Sequence, residues 1–500
     1  MHILFTRKSW ELAIVSGCML GLSFPPYKLG FLAWMGFVPL IRVILNEKPL
    51  KSALFGFMTG FIMNILALHW LSLNIGAPSK LFAIISLLSA AIYLALFWSL
   101  FCYIFSHIQS ISGIGLLILP SLWIITEFIM SIGPFGFPWV SLSTTQVDYL
   151  PIIQIAEWTG IFGISFWLIT VNVIFYELLN CSISYRSTIF RTLLFSIVSI
   201  WLFGYLRLGT LSDKDDKKKI KISVTQPNIG PQDKWEIKKR DWVFSRLDSL
   251  YKIASEMKPD IIIWPEAATP SFLIKNHTHL LRVRRLIRRT GIPLLTGTID
   301  WSMSQNSRSY FNSVVLIKED GQIPIYHKKQ LVPIGEFNPF ARQLPLTQEL
   351  NLGNYTRGKE ETIFEINGSL FASVICFESV FPRIIRSLTN IGAQFLIIVV
   401  NDGWYGESAE LYQHEAIARL RAVEHRYPVI RSANTGISAI IDRSGREIKT
   451  LDIGETGVIT ASIVPFDGKT FYGRYGDWII STAFLSILFF SFIGWRKGNL

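Results

Sequence analysis

Three stretches of this chain bring nucleophile, acid and amine side chains to positions where covalent chemistry could use them. In residues 371–382, FASVICFESVFP, a β-branched apolar run drives into Cys376, and Glu378 follows two residues later. Upstream, IIIWPEAATP carries Glu266, and YHKKQLVPIGE carries Lys328 and Glu336. A thiolate attacks where a thiol barely does, so a working cysteine needs a base or a lowered pKa. Glu266 ends an apolar run, where partial desolvation would raise its affinity for a proton and make it a usable general base. Lys328 offers a positive charge for the thiolate and for a developing oxyanion. Residue chemistry alone leaves the alternative open, a structural cysteine with surface charges around it.

These side chains need elements to hold them. The run KIKISVTQPNI predicts a strand, and 238–257 a helix with apolar residues at helical spacing. PDIIIWPE predicts a short buried strand presenting Glu266 at its end. A helix over 278–290, a strand over 292–299 and a hairpin around Asp320 and Gly321 follow. The strand ending at Cys376 runs into a helix over about 380–390, which should leave the thiol at a turn near backbone N–H groups. AQFLIIVVND is a further buried strand, then a helix over 411–426 and a strand pair turning at Ser444 and Gly445. Strands alternating with helices predict an α/β layered domain over 218–465.

The rest of the chain is different in kind. Half of the 500 residues are hydrophobic and only 17% are charged, with mean hydropathy +0.38. Eight apolar stretches, near 11–25, 29–46, 52–73, 81–106, 114–133, 158–180, 189–207 and 477–495, are expected to span a membrane. They predict a polytopic helical bundle over 1–210 with seven spans and a C-terminal span over 477–495. A cleaved signal peptide is the rival for the first stretch, but no clear cleavage site precedes FPPY and more apolar runs follow at once. The net charge of +12 carries no nucleic-acid motif with it. Arg7, Lys8, Arg42, Lys48, Lys51, Arg186, Arg191, Arg496 and Lys497 flank one side of the spans, against Lys28 and Lys80 on the other. That asymmetry predicts both termini in the cytoplasm and the polar domain outside. Four cysteines in so long a chain make no disulfide framework. The mixed-charge run 211–221 reads as a solvated spacer. The loop 133–157, with GPFGFPWVSLSTTQ, reads either as an interfacial aromatic belt or as a wall of a lipid route to the site.

In their order, WPEAATP, YHKKQLVPIGE and VICFESVFP resemble the Glu-Lys-Cys signatures of the nitrilase (carbon–nitrogen hydrolase) superfamily, whose fold is an αββα sandwich. The resemblance is closer to one membrane-bound branch, apolipoprotein N-acyltransferase. LVPIGEF, NDGWYG at 401–406 and QHEAIARLRAVEHRYPVIRSANTGISAIID at 413–442 carry it, with FPPY, GFLAWMGFVPL, GFPW and ITVN among the spans. It implies Cys376 as nucleophile, Glu266 as general base and Lys328 as transition-state stabiliser. Glu336 and Glu378 match further active-site glutamates, and Trp235 a tryptophan on a loop near the site, though an ordinary packing role stands beside that. It implies ping-pong transfer of an acyl chain from the sn-1 ester of a membrane phospholipid, phosphatidylethanolamine being the family's preferred donor. The acceptor would be the α-amino group of a diacylglyceryl-modified apolipoprotein, at a bacterial inner membrane. No cofactor and no metal are implied, and His414 has no partner at ligand spacing. A membrane-tethered amidase and a transporter with an accessory domain are the rivals; for the second, Glu127 and His69 are the nearest intramembrane ionisable groups. Phe377 and Gln330 depart from the family pattern, which more often has tyrosine and histidine there. Arg419, Arg421 and Arg431 read as head-group contacts or as internal ion pairs, and Asn401 and Asp402 as positioning or turn residues. Covers over the site are expected from 337–365 and 404–412.

Overall fold

The segment IIIW at 261–264 is apolar at every position, as a strand covered on both faces must be. Its even and odd side chains enter different cores. Ile261 and Ile263 join one buried cluster, while Ile262 and Trp264 join another. The same alternation recurs at 395–400, where Ile397 and Val399 enter the first cluster and Leu396, Ile398 and Val400 a third. Two sheets with a shared core between them, and helices on both outer faces, are the consequence.

The computed structural model describes residues 8–211, 218–304, 307–337 and 354–498. The chain divides into two units, Met1–Ser212 with Ser408–Ala416 and Thr470–Leu500, and Asp213–Glu407 with Ile417–Lys469.

Among its described residues the second unit has twelve strands in two six-stranded sheets. In the first sheet, β1 (Ile220–Gln226), β2 (Ile261–Trp264) and β3 (Leu294–Ser304) are parallel neighbours. β4 (Ser307–Ile317) and β5 (Ile325–His327) add antiparallel on one side, and β12 (Gly457–Ile463) on the other. The second sheet repeats the plan. β7 (Ser369–Ile375), β8 (Phe395–Val400) and β9 (Val429–Ala433) are parallel, and β6 (Ile363–Ile366) flanks β7 antiparallel. β10 (Ser438–Ile441) and β11 (Glu447–Leu451) continue antiparallel beyond β9. Phe364, Phe371 and Phe395 stack across the second sheet at 5.4 and 5.0 Å between centroids. Helices Arg240–Glu256 and His277–Thr290 cover the first sheet, and Pro382–Asn390 with residues 417–425 the second. The nitrilase-like αββα sandwich expected from the sequence is therefore present. β6, β9 and β12 were not anticipated, and β3 runs past the expected 292–299.

The first unit is helical. Among the described residues four helices are long and apolar enough to cross a membrane: Pro49–Ala67, Lys80–Ile111, Ile161–Asn180 and Ile183–Thr210. Ser9–Leu22, Gly30–Asn46, Gly115–Met130 and Trp478–Gly494 are apolar but shorter. Helix length and composition thus pick out four of the eight expected stretches, and the other four coincide with the shorter apolar helices. The stretch at 29–46 shows why, since it breaks into a 3₁₀ turn, Gly30–Trp34, and a nine-residue helix, Val38–Asn46, entered through Pro39. Leu96, Phe195 and Leu202 stand 56%, 73% and 55% exposed on the long helices, an apolar surface that water would not tolerate and hydrocarbon would. Inside, Phe37, Trp98, Phe101 and Trp123 pack edge to face or stacked at 4.4–5.2 Å. Gly56 and Gly60, four apart on one helix, allow that approach, because a Cβ at either would lie 2.5 Å from Cys102 or Trp98.

Two buried polar side chains of this unit, Asn172 and Glu127, are held by hydrogen bonds. Asn172 accepts from the Phe37 amide at 2.9 Å and donates to the Ala33 carbonyl at 2.8 Å. Glu127 accepts from the Leu142 amide at 2.8 Å and the Ser141 hydroxyl at 3.2 Å. That bracing role removes the support Glu127 lent to a transporter. Trp139, from GFPW, is buried, and its indole donates to Gln413 at 2.8 Å. Residues 138–146 of this loop are thus mostly inside the unit, not arrayed as an exposed belt.

Candidate active site

β7 ends at Ile375, and Cys376 takes a left-handed backbone, φ +50°, before the 3₁₀ turn Cys376–Val380. A left-handed conformation costs a non-glycine residue about 1–2 kcal/mol and persists only where its surroundings hold it. The holding group is Glu378. One carboxylate oxygen accepts from Tyr326 Oη at 2.8 Å, the Lys329 amide at 2.7 Å and the Gln330 amide at 3.1 Å. The other accepts from the Ile375 amide at 2.9 Å. Glu378 therefore staples the end of β7 to the chain leaving β5, which carries Lys328. Burial raises its pKa, against the opposing pull of Lys328 and these hydrogen bonds.

Lys328 is buried beyond β5, with its amide on the Asn312 carbonyl at 2.9 Å. Its ammonium lies 2.8 Å from Glu336 and 3.9 Å from Glu266. Burial alone would push Lys328 down, but Glu336, Glu266 and Cys376 outweigh it and hold its pKa above the usual lysine range. Glu336 sits in a tight turn, accepting the Val332 amide at 2.9 Å. Glu266 lies two residues beyond β2. Its turn presses against β3 so closely that a Cβ on Gly297 would come within 2.6 Å of the Glu266 Cα. Burial raises its pKa, with Lys328 opposing and Glu336 adding to the rise.

Glu266, Lys328 and Glu336 are thus brought into one buried network, within electrostatic reach of Cys376 through Lys328. Asn312, on β4, completes it. Its Nδ2 donates to Glu266 at 2.7 Å and to Glu336 at 3.0 Å. Asn312 was not singled out from the sequence. The signal was there, a lone amide at the head of the apolar run NSVVLI. Trp235 stands apart from the network on the short helix Pro231–Trp235 and is 43% exposed, which disfavours a packing role.

The remaining polar residues sort cleanly. Arg431 pairs with Asp402, both fully buried, and the Asp402 carboxylate lies within 4.8 Å of Cys376 Sγ. Arg421 lies 2.9 Å from Glu424, and Arg419 donates to the Gly445 carbonyl at 2.9 Å. These are internal partners, not head-group contacts. Asn401 accepts from Asn434 at 2.9 Å. Phe377 packs edge-on to Phe381 at 5.0 Å, an apolar contact. Gln330 contributes its backbone amide to Glu378, a role any residue but proline could fill. Most of the cover expected at 337–365 lies outside the described residues.

Residues 221–467 match the family profile of carbon-nitrogen hydrolases, and residues 16–174 that of the apolipoprotein N-acyltransferase N-terminal domain. The apolipoprotein N-acyltransferase of Geobacter metallireducens is 30% identical over 485 residues, covering 94% of this chain and 92% of its own. The chain belongs to the apolipoprotein N-acyltransferase family. A second member, from Chlorobaculum tepidum, is 30% identical over 509 residues, covering 94% of this chain and 93% of its own. An amidase of the nitrilase superfamily from Nesterenkonia sp. AN1 overlays 53% of this chain and 97% of its own at 16% identity, with TM-score 0.40.

Membership makes the chain an acyltransferase and sets the amidase reading aside. Within an apolipoprotein N-acyltransferase, the stapled turn and the buried Glu–Asn–Glu–Lys network have a clear chemical use. They can hold one ammonium and one proton-accepting carboxylate fixed while charge develops on a third group.

Proposed function

We propose that this chain moves a fatty acyl chain from a membrane phospholipid to the α-amino group of a diacylglyceryl-cysteine at a lipoprotein N-terminus, through a thioester on Cys376. Glu266 takes the thiol proton, and the thiolate attacks the sn-1 ester carbonyl. Lys328 and the backbone N–H after the nucleophile stabilise the oxyanion. The ester C–O bond then breaks and the lysophospholipid oxygen leaves with the proton held by Glu266. In the second half the α-amine attacks the thioester carbonyl, its proton passes to Glu266, and the C–S bond breaks to return Cys376. Phosphatidylethanolamine is the proposed donor.

The observation that carries this reading is the Lys328 ammonium, buried between Glu336 at 2.8 Å and Glu266 at 3.9 Å. A carboxylate whose proton affinity is raised by burial, beside an ammonium that its carboxylate neighbours hold protonated, is a base paired with an oxyanion stabiliser. Glu336 and Glu378 position these groups, and Trp235 lines the approach. The catalytic domain is assigned to 218–465, on the extracytoplasmic side of a bacterial inner membrane, between spans in 1–210 and 477–495, with both termini cytoplasmic. A site at the bilayer surface suits substrates whose chains resist leaving lipid by about 0.8 kcal/mol per CH₂.

The test supplies purified protein with phosphatidylethanolamine and a synthetic diacylglyceryl lipopeptide. A lipopeptide heavier by one acyl chain on its α-amine, with lysophospholipid released, is the expected result. Hydrolysis of small amides with no lipopeptide acylation would overturn the proposal.

A further inference from the structure

Among the described residues, Lys234 is a buried ammonium that the mechanism leaves unused. It sits on the short helix Pro231–Trp235 after β1, is 1% exposed, and its Nζ has no hydrogen-bond partner among the described residues. Its neighbour Asp233 is engaged elsewhere, pairing with Lys239. Glu266 lies within electrostatic reach but accepts no hydrogen bond from it. The loop that carries Lys234 is firmly built. Asn434, beyond β9, accepts the Ile229 amide at 3.2 Å, donates to the Ile229 carbonyl at 2.7 Å, and ties to Asn401 at the end of β8 at 2.9 Å.

A buried cation with three open donors is costly unless something arrives to accept from it. Lys328 is already committed to Glu336 and Glu266, so a carbonyl oxygen turning into an oxyanion has its cation. Lys234 stands on a different loop, beside the half-exposed Trp235, and its Nζ is not drawn into the network around Lys328. Of the donor's atoms, the phosphodiester is the group with permanent negative charge. Resting on the acyl-donor reading above, we propose that Lys234 is an anion subsite that receives the phosphodiester oxygen of the donor lipid and so selects phospholipids over neutral esters. Burial pushes the Lys234 pKa down to about 8, with Glu266 opposing the shift, which leaves the amine mostly charged at neutral pH.

The test compares full-length wild type with Lys234→Met in detergent, following acyl-enzyme formation by intact mass. Phosphatidylethanolamine and the phosphate-free ester p-nitrophenyl palmitate are offered separately. Losing a charge-assisted contact to phosphate should lower the ratio of the two acylation rates by about tenfold or more. Lys234→Arg, which keeps the charge, should hold the ratio near that of wild type. An equal fall with both donors would mean that Lys234 acts only through Glu266, and no fall with either would mean that it is idle. Each of those results overturns the subsite. If Lys234→Met does not fold, Lys234→Gln removes the same charge and carries the same expectation. Wild type that reacts with the neutral ester but not with phospholipid would instead refute the donor assignment.

Discussion

Replacing Asn312 with leucine removes the side-chain amide that hydrogen-bonds to both carboxylates of the network, Glu266 and Glu336. Its amide gives Glu266 a 2.7 Å hydrogen bond and Glu336 a 3.0 Å one, each to a charged acceptor. Such bonds are worth about 1.5–3 kcal/mol apiece. Lost from Glu266, that energy falls on the ionised form, since the bond is one of the influences holding its pKa down against burial. Every 1.4 kcal/mol is about tenfold in the ionised fraction. On the acid side of the profile, acyl-enzyme formation in Asn312→Leu should therefore be slower by about tenfold to a hundredfold, with the loss closing as pH rises. The assay is the rate of adduct formation on Cys376 by intact mass across pH, with thermal unfolding in the same detergent as a control. A folded Asn312→Leu whose acid limb coincides with wild type would refute the assignment of Glu266 as the base tuned by this network.

Four further outcomes follow from the same geometry. Gly297→Ala should slow acylation and destabilise the protein by about 1–3 kcal/mol, because its Cβ meets backbone of the Glu266 turn at 2.6–2.7 Å; thermal unfolding and acylation rate check it. Tyr326→Phe removes one of four donors to Glu378 and should lower stability by about 1.5–3 kcal/mol, seen as a reduced Tm. Phe371→Ala, in the stack between Phe364 and Phe395, should cost about 3–5 kcal/mol and show in the same measurement. In wild type, Glu266 must be ionised to act, and burial has raised its pKa. Acylation should therefore rise with pH through a limb above the ordinary carboxylate range, and that limb should be absent from the residual rate of Glu266→Gln.

Much of the catalytic unit was legible because its strands are short apolar runs that end in chemistry. IIIWPE and SVICFE each announce a buried strand and the residue displayed at its end. β9 and β12 were harder to read. VIRSA hides a buried arginine whose partner, Asp402, is far along the chain, and β12 has mixed exposure at the sheet edge. The roles of Asn312 and Tyr326 depend on which strands pair, and β4 meets β5 in a register, Ser313 with His327, that no local pattern encodes. The eight expected stretches coincide with apolar helical segments, but their lengths were not legible. Apolar length in sequence ignores the turns and prolines that cut 29–46 into short pieces. Lys234 was passed over because a lysine in a polar loop is ordinarily solvated, and only the fold reveals that this one is not.

If Cys376 carries the acyl chain, the chain should be found on it before any acceptor is supplied. Purified protein incubated with phospholipid alone, compared with Cys376→Ala, tests it by intact mass. An adduct of fatty-acyl mass is expected on wild type and none on Cys376→Ala, with lysophospholipid formed only by the former. An adduct on both proteins, or on neither while both are folded, would contradict it.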